Sequence, residues 1–460
     1  MKRLALLIIA LWAAQAAAAE RYFGADLSFA NEMDDCGAVY RENGKPADVY
    51  ALFKEHGANL VRIRLWNNAA WTKYSNFADV ERSIRRARAQ GLQVLLDFHY
   101  SDDWADGDKQ IIPAAWAKIT DEAALAQALY QYTYDTLTAL DRDGLMPEMV
   151  QTGNEINQEM LGQADWKGRP IDWERNARLL NAAIKAVRDA GAHSAVKPKV
   201  MLHIAQPENA EPWFAAAKAA GVTDFDIIGL SYYPKWSKET LAGLGATINR
   251  LRFRYRQAEV MVVETGYPWT LRYNDSSPNQ LGADSVLPQY GATPEGQAQY
   301  LIDLSQVVIA NGGIGVVYWA PDWVSTQCRT RWGVGSAWEN ATFFDFTHDD
   351  EVLPAIDFMR YAYREPVSVT FRFHGVAPPP NRPFYLWGDF LGSREFAIRL
   401  PPDGAFTARL MPGQKIRFQV FDGIALKTKL LSGAKVVDGF AVEIVPAQST
   451  VLDYDLTAQQ

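Results

Sequence analysis

Between Tyr22 and Trp319 the sequence alternates eight times between short apolar segments and longer amphipathic ones, a pattern that few folds can accommodate. The apolar segments are rich in β-branched residues, which is typical of strands, whereas the amphipathic segments follow the helical period. We expect strands at residues 22–27, 59–66, 93–98, 148–153, 199–204, 226–232, 259–265 and 314–319. Repeated strand–helix units of this kind predict an α/β fold with a parallel sheet.

The best-marked helices lie between these strands, and several of them end at a glycine such as Gly91 or Gly191. We expect them at residues 78–90, 121–140, 173–190, 238–257 and 294–310, with a last helix at about 353–363. Eight units predict a (β/α)8 TIM barrel, because an open doubly wound sheet usually has fewer strands and a glycine-rich turn after the first. In such a barrel the functional residues lie on the loops that follow the strands.

After residue 365 the helical period disappears, and short segments with alternating apolar and polar positions follow one another between Pro- and Gly-containing turns. This pattern therefore predicts a small antiparallel β-sandwich at residues 366–460. The barrel that precedes it is expected at residues 20–365. No Gly/Ser-rich linker precedes the sandwich, so we expect it to pack on the barrel. Its aromatic residues Tyr385, Trp387 and Phe390 either bind sugar or form the core of the sandwich.

The first 19 residues have the pattern of a signal peptide, with Lys2 and Arg3 before an apolar stretch and small residues before Glu20. We therefore expect an exported chain, either secreted or periplasmic. No later segment has eighteen uninterrupted apolar residues. The formal net charge is −8, so the chain lacks the cationic footprint that nucleic acids and anionic membranes attract. We expect a monomer that binds neither.

A glutamate lies at or just after the end of two predicted strands. Glu155 follows the fourth strand, and Glu264 lies at the end of the seventh. These strands lie across the mouth of a barrel from one another. Two such carboxyl groups can protonate a glycosidic oxygen and attack the anomeric carbon, forming a covalent intermediate that water then opens. The alternative is that each glutamate only ends its strand, paired with an arginine.

Other polar residues near these strand ends could support the glutamates. Arg62 and Arg64 share one face of the second strand, and Arg64, nearer its end, is the one we expect to hold a carboxylate; a structural ion pair is the alternative. Asn154 could donate to a sugar 2-hydroxyl or simply form a turn. His99 could bind substrate, tune a carboxylate or be structural.

Aromatic residues near the same strand ends could complete a sugar-binding cleft. One of Tyr232 and Tyr233 could steer the nucleophile by its hydroxyl group, with the other in the wall, and the sequence does not choose between them. Trp319, Trp269 and Trp104 each follow or end a strand, and such rings stack on the apolar face of a sugar. Of the three, Trp319 is the one that we expect to stack on a sugar.

Six motifs closely resemble the family 53 glycoside hydrolases, the arabinogalactan endo-β-1,4-galactanases. They are Gly24-Ala25-Asp26-Leu27-Ser28, Val61-Arg62-Ile63-Arg64-Leu65-Trp66-Asn67, Asp97-Phe98-His99-Tyr100-Ser101-Asp102, Gly153-Asn154-Glu155-Ile156, Ser231-Tyr232-Tyr233-Pro234 and Val263-Glu264-Thr265-Gly266-Tyr267-Pro268-Trp269. The resemblance runs in order from about residue 22 to residue 360 and includes Trp338-Glu339-Asn340. It implies a retaining endo-acting enzyme that degrades pectic (arabino)galactan, with Glu155 as acid/base and Glu264 as nucleophile. No cofactor is required by that chemistry.

The sequence departs from this family after the eighth strand. A motif that commonly reads Trp-Glu-Pro is here Trp319-Ala320-Pro321, with Asp322 just beyond, so a carboxylate near the cleft rim is missing or displaced. Some bacterial relatives bind calcium in the following loop, but residues 333–338 show no clear spacing of oxygen ligands. We therefore assign no metal site, and structural calcium is left open as an alternative that the sequence does not indicate.

The two cysteines, Cys36 and Cys328, have no nearby histidines with which to form a zinc site. In a barrel they would lie in the loops after the first and eighth strands, which are neighbours where the barrel closes. We therefore predict a disulfide across the cleft rim, against the alternative of two separate thiols.

Two other functions remain open from sequence. The same barrel and glutamates could serve a retaining endo-β-glycanase that acts on another plant polysaccharide, a β-glucan or a β-mannan. A barrel that has lost catalysis and only binds carbohydrate is the third interpretation, and the presence of both glutamates argues against it.

Overall fold

The computed structural model describes residues 20–163, 168–331, 333–375, 383–422, 427–432 and 434–457, so the predicted signal peptide lies outside the described residues. Eight parallel strands close into a barrel, and β1 pairs with β8 from Tyr22↔Gly315 to Asp26↔Trp319. The strands are β1 (Tyr22–Asp26), β2 (Leu60–Leu65), β3 (Gln93–Phe98), β4 (Met149–Thr152), β5 (Lys199–Ala205), β6 (Ile227–Ser231), β7 (Glu259–Glu264) and β8 (Gly315–Trp319). The predicted TIM barrel is confirmed.

Helices surround this barrel, and several begin at a residue whose side chain caps the first turn, such as Asp48, Asn76 and Thr293. They are α1 (Ala30–Asp35), α2 (Val49–Glu55), α3 (Phe77–Ala89), α4 (Glu122–Arg142), α5 (Trp173–His193), α6 (Pro207–Ala219), α7 (Leu241–Arg254) and α8 (Pro294–Ala310). The last helix, expected at about 353–363, is instead a 3-10 segment at Pro354–Arg360. A segment of seven residues can form few i→i+4 hydrogen bonds. The His56 side chain also bonds the Asp357 carboxylate within the segment.

The interior of the barrel changes from apolar to polar along its axis. A cluster that includes Leu60, Leu95, Met149, Met201 and Ile227 fills the end where the strands begin. Two residues further along four of these strands, the two-residue period brings polar side chains inward. These buried polar residues are Arg62, Asp97, Gln151 and His203. The strand sequences thus place a polar layer directly under the mouth of the barrel.

The C-terminal region is all β, as predicted. Its strands are β9 (Val367–Gly375), β10 (Phe384–Gly388), β11 (Ile398–Arg399), β12 (Ala405–Leu410), β13 (Lys415–Asp422), β14 (Lys427–Ser432), β15 (Lys435–Val437), β16 (Phe440–Ile444) and β17 (Thr450–Thr457). We call them the β module, and they enclose a separate core that contains Phe371, Leu386 and Phe418. The expectation of purely antiparallel pairing was wrong, because β17 inserts between β9 and β14 and runs parallel to β9.

The β module packs on the outer side of α7. Phe253 contacts the module core, its ring 4.8 Å from that of Phe406. The buried Arg250 donates to the Leu391 carbonyl at 2.6 Å and also bonds Glu211 of α6. These contacts lie on the middle and C-terminal part of α7, which leads to the start of β7. The β module therefore lies beside the barrel and toward the end opposite its mouth.

Cys36 and Cys328 form the predicted disulfide, with Cα atoms 5.7 Å apart. The bond joins the loop after β1 to the loop after β8 on the side of the barrel mouth. Within the part of the chain that the structure describes, no helix is both long and apolar enough to cross a membrane.

Candidate active site

A cleft of about 1100 Å³ opens where the barrel strands end, and both Glu155 and Glu264 line it. Of the polar layer, Arg62 reaches the floor of this cleft, and five tryptophan side chains contribute to its lining. Of the residues predicted from sequence, six line this cleft besides the two glutamates: Arg64, His99, Trp104, Asn154, Tyr233 and Trp319. The cleft therefore collects most of the predicted residues at one end of the barrel.

Glu264 is bonded at both carboxyl oxygens. One oxygen lies 2.8 Å from the Arg62 guanidinium, and the other accepts a hydrogen bond from the Tyr233 hydroxyl at 3.2 Å. Burial raises the pKa of Glu264 above its ordinary value, although the positive charge of Arg62 lowers it. The negative charge of Glu155 raises this pKa further. Tyr233 and not Tyr232 is thus the tyrosine that meets this carboxyl group; the Tyr232 hydroxyl donates to the Glu239 carbonyl.

Arg62 is the centre of the polar layer. Its guanidinium donates to Asp26 and Asp97 at 2.8 Å each, and to the Asn154 side-chain oxygen at 2.7 Å. Although burial opposes it, the charge of Arg62 helps to hold the pKa of Asp97 below its usual range. Two aspartates and Glu264 therefore share one permanent cation, which fixes the position of the guanidinium under the cleft.

The expectation that Arg64 holds a carboxylate was wrong. The Arg64 guanidinium instead lies between aromatic rings, 4.1 Å from the centre of the Trp104 ring and 4.4 Å from that of Trp66. Its Nε donates to the Ser75 hydroxyl at 3.2 Å. Burial lowers the pKa of Arg64. Arg64 thus supports the aromatic wall of the cleft, whereas Arg62 is the arginine that contacts Glu264.

Glu155 follows β4 with φ of 43°, in the left-handed region that side chains other than glycine rarely adopt. One carboxyl oxygen accepts a hydrogen bond from the Ser231 hydroxyl at 2.5 Å, and the other accepts from the Gly107 backbone N–H at 3.1 Å. Burial raises the pKa of Glu155, and both hydrogen bonds oppose this shift. The carboxyl group is therefore held between two loops, in surroundings that favour its protonated form more than water does.

A buried histidine continues this hydrogen-bond chain. The backbone N–H of Glu155 donates to Nδ1 of His203, so the ring proton lies on Nε2, which is 2.9 Å from the Ser231 oxygen. Burial and the charge of Arg62 hold the pKa of His203 well below its usual value, so the ring is neutral. The chain runs from His203 through Ser231 to Glu155. Sequence analysis missed both Ser231 and His203, although each is a polar residue at an inward position of an apolar strand.

His99 and Asn154 are engaged within the protein. The Nδ1 of His99 accepts from the Ala105 backbone N–H at 3.1 Å, and its Nε2 lies 3.0 Å from Asp97. His99 thus orients a carboxylate and the loop after β3. Asn154 donates one amide hydrogen to the Ala105 carbonyl at 2.7 Å, so its second amide hydrogen is the one a sugar hydroxyl could accept.

The predicted tryptophans separate into two groups. Trp319 is half-buried in the cleft wall and meets the Trp338 ring edge-on at 4.7 Å, and Trp104 lies beside it at 5.9 Å. Trp269 is buried outside the cleft lining, and its indole donates to the Glu339 carbonyl. Trp236, which is 44% exposed, lines the cleft and was not predicted. These rings offer apolar surfaces of the kind that sugars stack on.

Where the sequence departs from the family motif, at Ala320, the structure places neither Ala320 nor the nearby Asp322 in the cleft. Ala320 and Asp322 are both fully buried. Neither carboxyl oxygen of Asp322 has a hydrogen-bond partner in another described residue. Burial, with the nearby charge of Asp26, raises the pKa of Asp322 well above its ordinary value. Asp322 therefore does not replace the missing glutamate.

Comparisons with known proteins agree on one family. The sequence model of glycosyl hydrolase family 53 matches residues 22–359. An arabinogalactan endo-beta-1,4-galactanase of Cellvibrio japonicus is 53% identical over 344 residues, which is 75% of this chain and 91% of that protein. The endo-beta-1,4-galactanase of Bacillus subtilis is 31% identical over 381 residues, covering 74% and 85% of the two chains.

Solved structures give the same result. The GH53 catalytic domain of Ignisphaera aggregans superposes with a TM-score of 0.67 at 31% identity, over 76% of this chain and 98% of that one. A structure from a study of two fungal beta-1,4-galactanases has a TM-score of 0.63 at 30% identity, over 74% and 99%. Both matches cover about as much of this chain as the barrel does.

Proposed function

This chain belongs to glycosyl hydrolase family 53, and we propose that it is an endo-β-1,4-galactanase that cleaves (arabino)galactan with retention of configuration. The observation that carries the proposal is that two residues of one strand end, Ser231 and Tyr233, bond the carboxyl groups of Glu155 and Glu264 in a single cleft. A cleft with opposed carboxyl groups and tryptophan walls is suited to hydrolysis of a polysaccharide by double displacement.

In the first step Glu155 donates its proton to the glycosidic oxygen while Glu264 attacks the anomeric carbon. Arg62 and Tyr233 orient Glu264, and the permanent charge of Arg62 favours its ionised form. In the second step Glu155 removes a proton from water, and that water releases the sugar from Glu264. Because burial raises the pKa of both groups, the pair keeps one proton to a higher pH than two free glutamates would. One proton on the pair is what this mechanism needs.

The proposal extends to where the enzyme acts and what it binds. The two carboxyl groups supply acid, base and nucleophile, so the reaction needs no cofactor. The signal-peptide pattern of residues 1–19 supports export, where a plant polysaccharide would be met. The formal net charge of −8 supports a polysaccharide partner in preference to nucleic acid or a membrane, and we expect a monomer.

The test compares initial rates on β-1,4-galactan, a mixed-linkage β-glucan and a β-mannan. We expect the rate on galactan to exceed the others, with mid-length oligosaccharides released early and the β-anomer formed first by NMR. Glu155→Gln and Glu264→Gln should each lower the rate at least about a thousandfold. A higher rate on another polymer would replace the galactanase assignment with a different β-glycanase. Full activity of Glu155→Gln would contradict catalysis at this site.

A further inference from the structure

Strand β10 of the β module directs two aromatic side chains away from the module core. Tyr385 and Trp387 alternate with Phe384 and Leu386, which are buried, and both outward rings are half-buried. Sequence analysis left open whether Tyr385 and Trp387 bind sugar or form the core. The structure excludes both from the core, whereas Phe390 belongs to it.

Arginine side chains lie next to these rings. Strand pairing sets Arg399 opposite Tyr385 on β11, and Phe421 opposite it on β13. The Arg394 guanidinium is 5.1 Å from the centre of the Phe421 ring, and that of Arg417 is 5.5 Å from the centre of the Phe440 ring. The Trp387 and Phe440 rings are 5.6 Å apart. We call this surface the aromatic–arginine face: Tyr385, Trp387, Arg394, Arg399, Arg417 and Phe440.

The charge of the chain is distributed unevenly, and this face lies on the positive part. Residues 366–460 contain ten Lys and Arg against eight Asp and Glu, whereas the preceding residues contain 36 against 46. Arg394, Arg399 and Arg417 are all exposed. Asp389 lies 3.8 Å from the Arg417 guanidinium and offsets part of its charge. The face is thus moderately cationic on a protein whose other part is anionic.

We propose that the aromatic–arginine face binds a polysaccharide that carries uronic-acid carboxylates along its chain. The half-exposed rings can stack on the apolar faces of sugar residues, and a guanidinium matches a carboxylate with two parallel hydrogen bonds. Tyr385 lies beside Arg399 and Phe440 beside Arg417, so the face offers rings and guanidinium groups next to one another. A nucleic acid or an anionic membrane has denser charge, which the net charge of −8 disfavours.

This site is separate from the catalytic cleft and goes beyond the proposed function. The module contacts α7 through Phe406 and Leu391, so it lies beside the barrel, and none of the module residues that the structure describes lines the cleft. A polymer held on the face would keep the enzyme on its material while the cleft acts on neighbouring chains. The effect resembles a second binding module, which raises the local substrate concentration.

The experiment is affinity gel electrophoresis of the full chain through gels that contain polygalacturonate, either de-esterified or fully methyl-esterified. We expect retardation only by the de-esterified polymer, and weaker retardation at high salt. The double variant Arg399→Gln/Arg417→Gln should bind about tenfold more weakly, and Tyr385→Ala should also bind more weakly. Arg372→Gln is the matched control, because Arg372 is exposed on β9, which carries no residue of the aromatic–arginine face.

The proposal is overturned if the wild-type chain is not retarded, or if Arg372→Gln weakens binding as much as the double variant does. It is also overturned if retardation is equal with the methyl-esterified polymer, or if DNA or anionic vesicles bind at least as tightly as polygalacturonate. Rates on a short, soluble β-1,4-galactoside should be the same for every variant. That rate tests the cleft alone, so a failure of the binding proposal is distinguishable from a failure of the proposed galactanase activity.

Discussion

Two adjacent tyrosines after β6 differ in what their hydroxyl groups contact. Tyr233 donates to Glu264, whereas Tyr232 donates to the Glu239 carbonyl at 3.0 Å. We expect Tyr233→Phe to lower kcat about 10- to 100-fold, because a hydrogen bond to a charged group is worth about 1.5–3 kcal/mol. Tyr232→Phe should change kcat less than about twofold. Steady-state kinetics on galactan checks both, and equal losses would contradict the assignment.

The hydroxyl group of Ser231 sets the acidity of the proposed acid/base. Its bond to Glu155 stabilises the ionised carboxylate and so lowers the pKa of that group. In Ser231→Ala we expect this pKa to rise. Since Glu155 must be protonated for the first step, the alkaline limb of the kcat/KM profile should move to higher pH, by about half a unit to one unit.

Ser83→Ala is the matched control for this variant. Ser83 is also a buried serine whose hydroxyl accepts a hydrogen bond, at 2.9 Å from Asn31, but it lies on α3 outside the cleft lining. Its pH profile should equal that of the wild type. If Ser231→Ala lowers kcat/KM equally at every pH, Ser231 only supports the local packing.

Single residues show where sequence reasoning reaches its limit. The glutamates could be predicted because each follows an apolar strand at the barrel mouth. The choice between Arg62 and Arg64 failed because the residue nearer the strand end turned into the aromatic wall, where Trp104 and Trp66 enclose it. That outcome depends on how the strands are staggered around the barrel, which sequence period alone does not give.

At the scale of strands, the polar layer could have been found from the sequence. Each inward polar residue interrupts an apolar strand, as His203 does between Leu202 and Ile204. The strand limits were predictable to within a residue or two, because the apolar segments are sharply bounded. The 3-10 segment at Pro354–Arg360 was not, since its packing against α8 and His56 decides its form.

We expect the buried Asp322, in the loop after β8, to destabilise the fold at neutral pH. Burial raises the pKa of Asp322 well above the unfolded value, so unfolding releases a proton, and stability falls as pH rises above about 4. Asp322→Asn removes this penalty, and we expect the free energy of unfolding at pH 7 to increase by about 2 kcal/mol. Urea unfolding at several pH values measures it.

The gain from Asp322→Asn should be mostly lost at about pH 4, the ordinary pKa of an unfolded aspartic acid, and absent below it, where the wild-type carboxyl group is protonated in both states. Asp135→Asn is the control, because it makes the same chemical change at an exposed position of α4. A stability gain of the same size at pH 4 and pH 7 would show that charge is not its cause.

For the whole molecule, the order of the parts could be predicted and their arrangement only in part. Barrel closure brings the loops after β1 and β8 together, so a disulfide between residues 292 apart followed from topology. The absence of a linker indicated that the β module packs on the barrel. Which helix it meets could not be predicted, because that depends on Arg250 and Phe253 fitting the turn at Leu391 and the ring of Phe406.

We expect this contact to make barrel and module unfold in one event. Arg250 is 3% exposed, and its guanidinium bonds Glu211 of the barrel and the Leu391 carbonyl of the module. The Leu391 carbonyl accepts a charge-assisted hydrogen bond across the contact, so Arg250→Ala should weaken the docking of the module by about 1.5–3 kcal/mol. Glu211 keeps Arg254 as a partner within the barrel. We expect calorimetry to show one transition for the wild type and an earlier, separate module transition for the variant.

The same variant should keep the kcat of the wild type on soluble galactan, because α7 contacts the module on its outer side and the glutamates are bonded from β2 and β6. Arg188→Ala is the control, since Arg188 pairs with Asp224 and Asp226 at the barrel surface and should leave a single transition. A single transition in Arg250→Ala, merely shifted to lower temperature, would mean that apolar contacts such as Phe253 with Phe406 couple the two parts without the hydrogen bond from Arg250 to Leu391.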